Sequence, residues 1–401
     1  MRTAYFDTTD FRLWERGLTL QHRAGAPEGG GTWTLQLPSD RSDRADPQKE
    51  EPGRTARSWL GPEDTIPPEA ASILRGVVRR GTLEQQVDLH TTRRPAAVDD
   101  GSSLGDLVRS AVRTGLDRLL DHDWRLRASP SLRPHDVHQA RVATRRLRSD
   151  LKTFGVVLDP VWVTHVRGDL KWVGSTLGAV RDRDVLAGHL DDGPPDLRQA
   201  LDDQRDAARA DVSVMLDSTR YIDLLDRLHA AADRPPFLDA GGLTAGDRAA
   251  DVLPALVGAR WRAVRRQVRR AGPTPSDAQL HQIRIKAKQL RYAAEAAVPV
   301  VGKAARRTAA DAAAIQTILG RHHDAVAAEA WLRQTAAPTH ADNGEDARTI
   351  SPPGPPSLAP PSVFEAGRLC AREQRDQRRL GRKWRKPWDS LSRAKHRRWL
   401  A

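Results

Sequence analysis

Apolar residues along this chain change their period at about residue 104. Before it, short runs alternate apolar and polar positions: Thr3–Phe6, Leu18–Arg23 and Thr32–Leu37 read as strands, the last two joined across the Gly-rich link Gly25–Gly31 as a hairpin. The charged, Pro-containing stretch Pro38–Gly53 reads as a loop, Ile73–Arg80 as the end of a helix, and Leu83–Thr91 as one more strand. From Leu104 the period is 3.6: Leu104, Leu107, Val108, Ala111, Val112, Gly115, Leu116, Leu119 and Leu120 share one helix face. Further helices are expected at Trp162–Leu177, Asp184–His189, Asp196–Leu216, Tyr221–Ala232, Ala245–Arg270, Ala304–Thr335 and Ser362–Lys383. Their breaks fall at Pro194-Pro195, Pro235-Pro236 and Pro273/Pro275. The organisation expected is a small partial β region over 1–97, a linker over 98–103 and a helical region over 104–335. A disordered Pro-rich loop over 336–361 and a final helix with a basic tail over 362–401 complete it.

One helical stretch occurs twice. His138–Lys152 reads HQARVATRRLRSDLK and His281–Arg291 reads HQIRIKAKQLR, offset by 143 residues. His138/His281, Gln139/Gln282, Arg141/Arg284, Leu147/Leu290 and Arg148/Arg291 are identical, and Arg145 matches Lys288 in charge. At about 100° per residue, His138, Arg141, Arg145, Arg148 and Lys152 share an arc of about 80°. Ala140, Thr144, Leu147, Leu151 and Phe154 face the other way. The second copy sets His281, Arg284, Lys288 and Arg291 against Ile283, Ala287, Leu290 and Ala294. The repeat extends to LGAVRDRDV (Leu177–Val185) and LGRHHDAV (Leu319–Val326), with Gly178 matching Gly320 and Asp182 matching Asp324. An internal duplication explains this, with two helical bundles about a pseudo-two-fold axis and both cationic ridges on one surface.

Charge then narrows the function. The 401 residues carry a formal +13, which favours polyanionic partners: nucleic acid, an anionic membrane or a phosphate polymer. The single cysteine, Cys370, excludes an internal disulfide and a Cys-based metal cluster. No apolar signal core opens the chain and no window reaches the ~18 apolar residues of a membrane span, so a cytoplasmic protein is expected. Neither ridge histidine has a His or carboxylate at i+4, and neighbours such as His322, His323 and Asp324 point roughly 100° apart on a helix, so no metal site is expected. Asp182 and Asp324 suit pairing with ridge arginines or holding a helix end. From Arg378 onward ten Lys/Arg stand against one Asp, which reads as a solvated tail or an addition to a polyanion site.

The two HxxRxxx[RK]xLR helices with the LG…RD and LG…HD segments, and SVFEAGRLCAREQ before the terminal tryptophans, resemble the CHAD family, the conserved-histidine α-helical domain. The resemblance covers roughly Gly101–Leu400 and implies a mainly α protein: two pseudo-symmetric four-helix bundles whose basic central surface binds inorganic polyphosphate without catalysis. YFDTTDFRLWERGLTLQHR (Tyr5–Arg23) and GTWTLQLP (Gly31–Pro38) are similar to part of a CYTH domain, the triphosphate tunnel fold. That family's opening ExExK strand is absent, Gln36 stands where Lys is usual, and Gln21 where a phosphate-binding Arg is common. Without the acidic cluster, triphosphate hydrolysis lacks its hard-cation site. The region is expected to be a decayed, inactive remnant, or the result of a start placed too late.

The reading that follows is non-catalytic polyphosphate binding, without cofactor or metal, by His138, Arg141, Arg145, Arg146, Arg148, Lys152, His281, Arg284, Lys288 and Arg291. Arg181, Arg183, Arg321, His323 and Arg23 are secondary candidates. Each ridge spans 14 residues, roughly 21 Å, and arginine forks suit phosphate oxygens. Association with polyphosphate granules would follow. A single charged helix face is usually just solvated; retention of the same charges in both copies argues for function. The alternatives are a nucleic-acid-binding protein, since nonspecific binding is expected at low salt, and a triphosphatase if the N-terminus lies upstream. The first lacks interleaved aromatics: only Tyr292 sits at a ridge edge. No GxxxxGK[ST] loop supports nucleotide hydrolysis.

Overall fold

The computed structural model describes residues 3–23, 31–38, 55–86, 98–129, 131–190, 193–238, 242–337 and 359–400. The N-terminal part holds strands β1 (Thr3–Asp7), β2 (Thr19–Arg23), β3 (Gly31–Leu37), β4 (Thr55–Gly61) and β5 (Glu84–Gln86), with helices α1 (Arg12–Glu15) and α2 (Pro68–Val78). The sheet is antiparallel in the order β4-β3-β2-β1-β5. Strand β4 was not expected. Its sequence TARSWLG lacks clean alternation, and it is held by pairing along the whole of β3, with Trp59 opposite Trp33. The expected hairpin is present as β2 against β3. The expected loop at Pro38–Gly53 and strand at Leu83–Thr91 fall mostly outside the described residues, except that the strand opens as β5.

One sheet face carries Leu20, Trp33 and Leu35, all fully buried, against α2. The same apolar cluster takes in Trp124 and Ala128 from helix α3 (Leu104–Ala128). Gly76 of α2 lies so close to α3 that a Cβ would fall 1.9 Å from Asp123 Oδ2. Around this contact Arg16 meets Asp117 at 2.7 Å, Arg79 meets Asp226 at 2.8 Å, and Arg80 pairs with Asp223. The β region is therefore docked on the helices. The expected linker is pinned as well: Ser103 caps α3 reciprocally with Asp106, and Leu104 N–H donates to the Asp247 carbonyl at 2.8 Å.

The helical part is α3, α4 (Pro134–Phe154), α5 (Pro160–His189), α6 (Pro195–Asp217) and α7 (Thr219–Asp233). Then come α8 (Ala249–Ala271), α9 (Asp277–Val301), α10 (Lys303–Ala336) and α11 (Pro360–Lys383). The order basic helix, long helix, next helix thus occurs twice, as α4-α5-α6 and α9-α10-α11. The matching helices α4 and α9 pack on each other, and so do α5 and α10. One continuous core runs through both halves, from Leu104 to Leu400.

Two expectations for the helices need correction. Trp162–Leu177 and Asp184–His189 form the single 30-residue helix α5, because Gly178 costs a helix only about 1 kcal/mol and is kept for a packing reason given below. The basic tail is not a solvated extension. Helices α12 (Arg385–Ser392) and α13 (Ala394–Arg397) fold back, burying Trp384, Leu391 and Leu400 in the common core. Asp311 accepts from Ser390 Oγ at 3.2 Å and lies 3.2 Å from His396 Nδ1. Of the Pro-rich stretch 336–361, residues 338–358 lie outside the described residues.

Candidate functional site

The ridges are placed by their apolar reverse faces. In α4, Val137, Ala140, Leu147, Leu151 and Phe154 enter the core; in α9, Leu280, Ile283, Ala287, Leu290 and Ala294 do the same. Gly115 of α3 admits Leu147, whose Cδ2 would lie 2.3 Å from a Cβ at 115. The opposite faces of α4 and α9 then meet at one place, together with the Leu-Gly turns of α5 and α10. A crevice of about 490 Å³ opens there, lined by His138, Arg141, Arg145, Arg181, Asp182, Arg183, Gln204, Arg284, Gln316, Arg321, His323, Asp324 and Trp331, among others.

The duplicated Leu-Gly pair has a physical role at this point. Arg141 lies across Gly178, where a Cβ would stand 3.3 Å from Cζ. Arg284 lies by Gly320, with Nε 3.7 Å from the same construction. Each glycine gives an arginine from the neighbouring helix a bed on bare backbone. Any side chain at 178 would press on the guanidinium; at 320 it would only touch.

Six guanidinium groups face two carboxylates in the crevice. Asp182 accepts from Arg141 Nη1 at 2.7 Å and is itself exposed. Asp324 is the acidic neighbour of Arg284, and burial raises its pKa. Most of the positive charge is left unopposed. Arg145, Arg183 and Arg284 each bury an Nε–H without an acceptor in the protein. Burial, with Arg141 and Arg284 nearby, holds the Arg145 pKa below its usual value, although Tyr292 opposes the shift. Lys288 is driven further, to about 8, by burial and by Arg145, Arg284, Arg141 and Arg148.

The histidines here are all pushed towards their neutral form. His138 is lowered by burial, then by Arg181, Arg145 and Arg141; His281 by burial, Arg284 and Lys288. His323 falls to about 4 through burial, Arg284 and His281. His281 and His323 share a hydrogen bond between their Nδ1 atoms at 3.3 Å, with ring centroids 4.4 Å apart. His322 points elsewhere, buried, with Nε2 3.3 Å from Asp277. Each neutral imidazole offers one N–H and one acceptor lone pair. Among the described residues no group of three or more His, Cys, Asp or Glu is arranged to hold a metal.

Not every expected residue lines the crevice: His281 stands behind it against His323, and Lys288 behind it among Arg145, Arg284 and Arg141. Arg146 and Arg291 are turned to the far side of Tyr292, whose ring lies under both guanidiniums. There both pair with Glu295, Arg291 at 2.7 Å, and Arg146 also stands 3.7 Å from the buried Asp150. Arg148 and Lys152 lie along α4 beyond Lys288. Arg23 is in β2, paired with Thr3 and Thr32, in the separate sheet. Sequence reasoning missed Gln204, Gln316 and Trp331, whose Nε1–H donates to Gln204 at 3.1 Å. Gln316 stands one turn before Gly320, so the motif spacing points to it. Nothing local marks the other two.

Residues 110–333 match the CHAD domain. The chain belongs to the CHAD family. It is 32% identical over 269 residues to two uncharacterized proteins of Mycobacterium tuberculosis, MT2285 of strain CDC 1551 and Rv2226 of strain H37Rv. These matches take in 61% of this chain and 48% of each relative, so the chain spans about half their length. The fold is shared with the CHAD domain from the plant Ricinus communis: TM-score 0.56, 24% identity, over 74% of this chain and 94% of that one. It is shared also with PptA from Streptomyces chartreusis: TM-score 0.53, 21% identity, over 72% and 100%. The family match lies on the CHAD helices alone, and the five-stranded sheet precedes it. No helix among the described residues is long and apolar enough to cross a membrane.

Proposed function

We propose that this CHAD protein binds inorganic polyphosphate in the crevice between its two duplicated ridges and performs no catalysis there. The observation that carries this reading is the set of half-buried guanidinium groups with unused N–H donors and only Asp182 and Asp324 opposed to them. Arginines packed against one another are costly until an anion with many acceptor oxygens arrives. A polymer with a charge on every unit meets both ridges together and releases counterions from each contact.

Nucleic acid is the second reading. A binder of single strands stacks bases on aromatic side chains, but the crevice has one tryptophan, already hydrogen-bonded to Gln204. We read the N-terminal sheet as kin to the triphosphate tunnel fold but inactive, since Gln21 and Gln36 replace its usual cations. The test is a competition assay at ~150 mM salt, where attraction between exposed charges is screened beyond about 8 Å. Long-chain polyphosphate is expected to displace a labelled polyphosphate at far lower concentration than duplex or single-stranded DNA. Equal potency across the panel means generic polyanion binding and overturns the reading.

A further inference from the structure

The crevice leaves Arg148 and Lys152 unexplained. Around them stand three cations from other helices: Arg167 of α5, Arg260 of α8 and Lys286 of α9. Lys152 is lowered by burial and then by Arg260, Lys286, Arg167 and Arg148 in turn. Arg148 and Arg260 are each lowered by burial and by Arg167. Arg260 is fixed in place by donating through Nη2 to the Lys152 carbonyl at 2.8 Å. Arg148 and Arg167 bury Nε–H groups without an acceptor. Among the described residues none of the five takes part in an ion pair, whereas nearby Arg146 and Arg291 are both met by Glu295. Like charges half-withdrawn from water with no counter-charge mark a place that an anion completes.

Comparison of the two copies gives this cluster a direction. In the second copy Lys152 is matched by Glu295, and Arg167 by Ala309 on the register of Gly178 with Gly320. The cationic ridge therefore stops at the Arg291–Glu295 pair on α9 but continues on α4. Lys288 joins the two regions, because it feels Arg145, Arg284 and Arg141 of the crevice and Arg148 of the cluster. We propose that Arg148, Lys152, Arg167, Arg260 and Lys286 form a second phosphate subsite, along which a long polyphosphate leaves the crevice beside the C-terminal part of α4 and not beside the matching part of α9. This rests on the crevice being a polyphosphate site.

The test uses the full chain, tripolyphosphate and long-chain polyphosphate, titrated calorimetrically at several salt concentrations. The variant R167Q with K286Q removes two cations whose side chains make no hydrogen bond or ion pair among the described residues, so the fold is expected to hold, as thermal melting verifies. Long-chain affinity is expected to fall roughly tenfold, with a salt slope shallower by one to two, and tripolyphosphate affinity to stay unchanged. Long-chain affinity within twofold of native overturns the subsite. The variant R141Q with R284Q separates the two readings, since it is expected to weaken both ligands. If it acts while R167Q with K286Q does not, the subsite alone is wrong. If neither acts, or if the native protein binds neither ligand, the polyphosphate reading falls and the subsite falls with it.

Discussion

Lys288 makes the energetics of the crevice measurable. Its pKa stands at about 8 against an ordinary 10.5. At 1.36 kcal/mol per unit, holding it charged, half-buried behind the crevice arginines, costs on the order of 3 kcal/mol. Bound phosphate reverses the local field, so the pKa returns towards its ordinary value or above. Between about pH 8 and 10.5 the free protein has lost the proton and the complex keeps it. Binding must then take up close to one proton, and affinity should fall by about tenfold per pH unit in that window. The same group acts on folding in the opposite sense. Its native pKa lies below its unfolded value, so the unfolded chain binds more protons there, and this contribution to stability rises as pH passes 8. The assay is calorimetric titration with polyphosphate at pH 9 in buffers of different ionisation enthalpy. Lys288→Arg keeps its charge and should flatten the pH dependence; Lys288→Met should remove it and weaken binding at pH 7. Proton uptake near zero at pH 9 in the native protein, or uptake unaltered in Lys288→Arg, would refute the reasoning.

Asp182 competes with the ligand for Arg141, so Asp182→Asn should tighten polyphosphate by a few-fold, most at low salt, in a fluorescence competition assay; weaker binding would show that the carboxylate instead orients the arginine. Trp384, fully buried at the root of the C-terminal turn, should cost roughly 3–5 kcal/mol when replaced by alanine, seen as a lowered midpoint in denaturant, whereas a solvated tail would show no change.

The helical fold was legible because its apolar stripes are long and regular, and because duplication printed the ridge twice. Ala140, Leu147, Leu151 and Phe154, and their partners Ile283, Ala287 and Leu290, are buried where periodicity put them. Periodicity gives a side of a helix, not a neighbour. Arg146 and Arg148 are two residues apart, yet one is neutralised by Glu295 and the other stands among cations, a difference decided by which helix packs opposite. Charge also misled as a guide to exposure: the ridges read as surface and are half-buried. The tail read as solvated because its arginines and lysines outnumber its tryptophans, although Trp384, Trp388 and Trp399 are what anchor it. Strand β4 was invisible for the complementary reason, since its order comes from β3 and not from its own sequence.

The contact between sheet and helices bears on how the chain is handled as material. Trp124 and Ala128 belong to α3 by sequence and to the sheet by packing. A cut at 98–103, where composition suggests a seam, therefore passes through a shared interior. A helical fragment made that way would carry an uncovered tryptophan and stranded aspartates at positions 117, 223 and 226, which lose Arg16, Arg80 and Arg79. The excised sheet would lose the floor of its own core. Heating should accordingly melt both parts in one transition, and a fragment prepared for crystallisation or fusion would do better to keep the first 86 residues in place as a cap that solubilises the helical part.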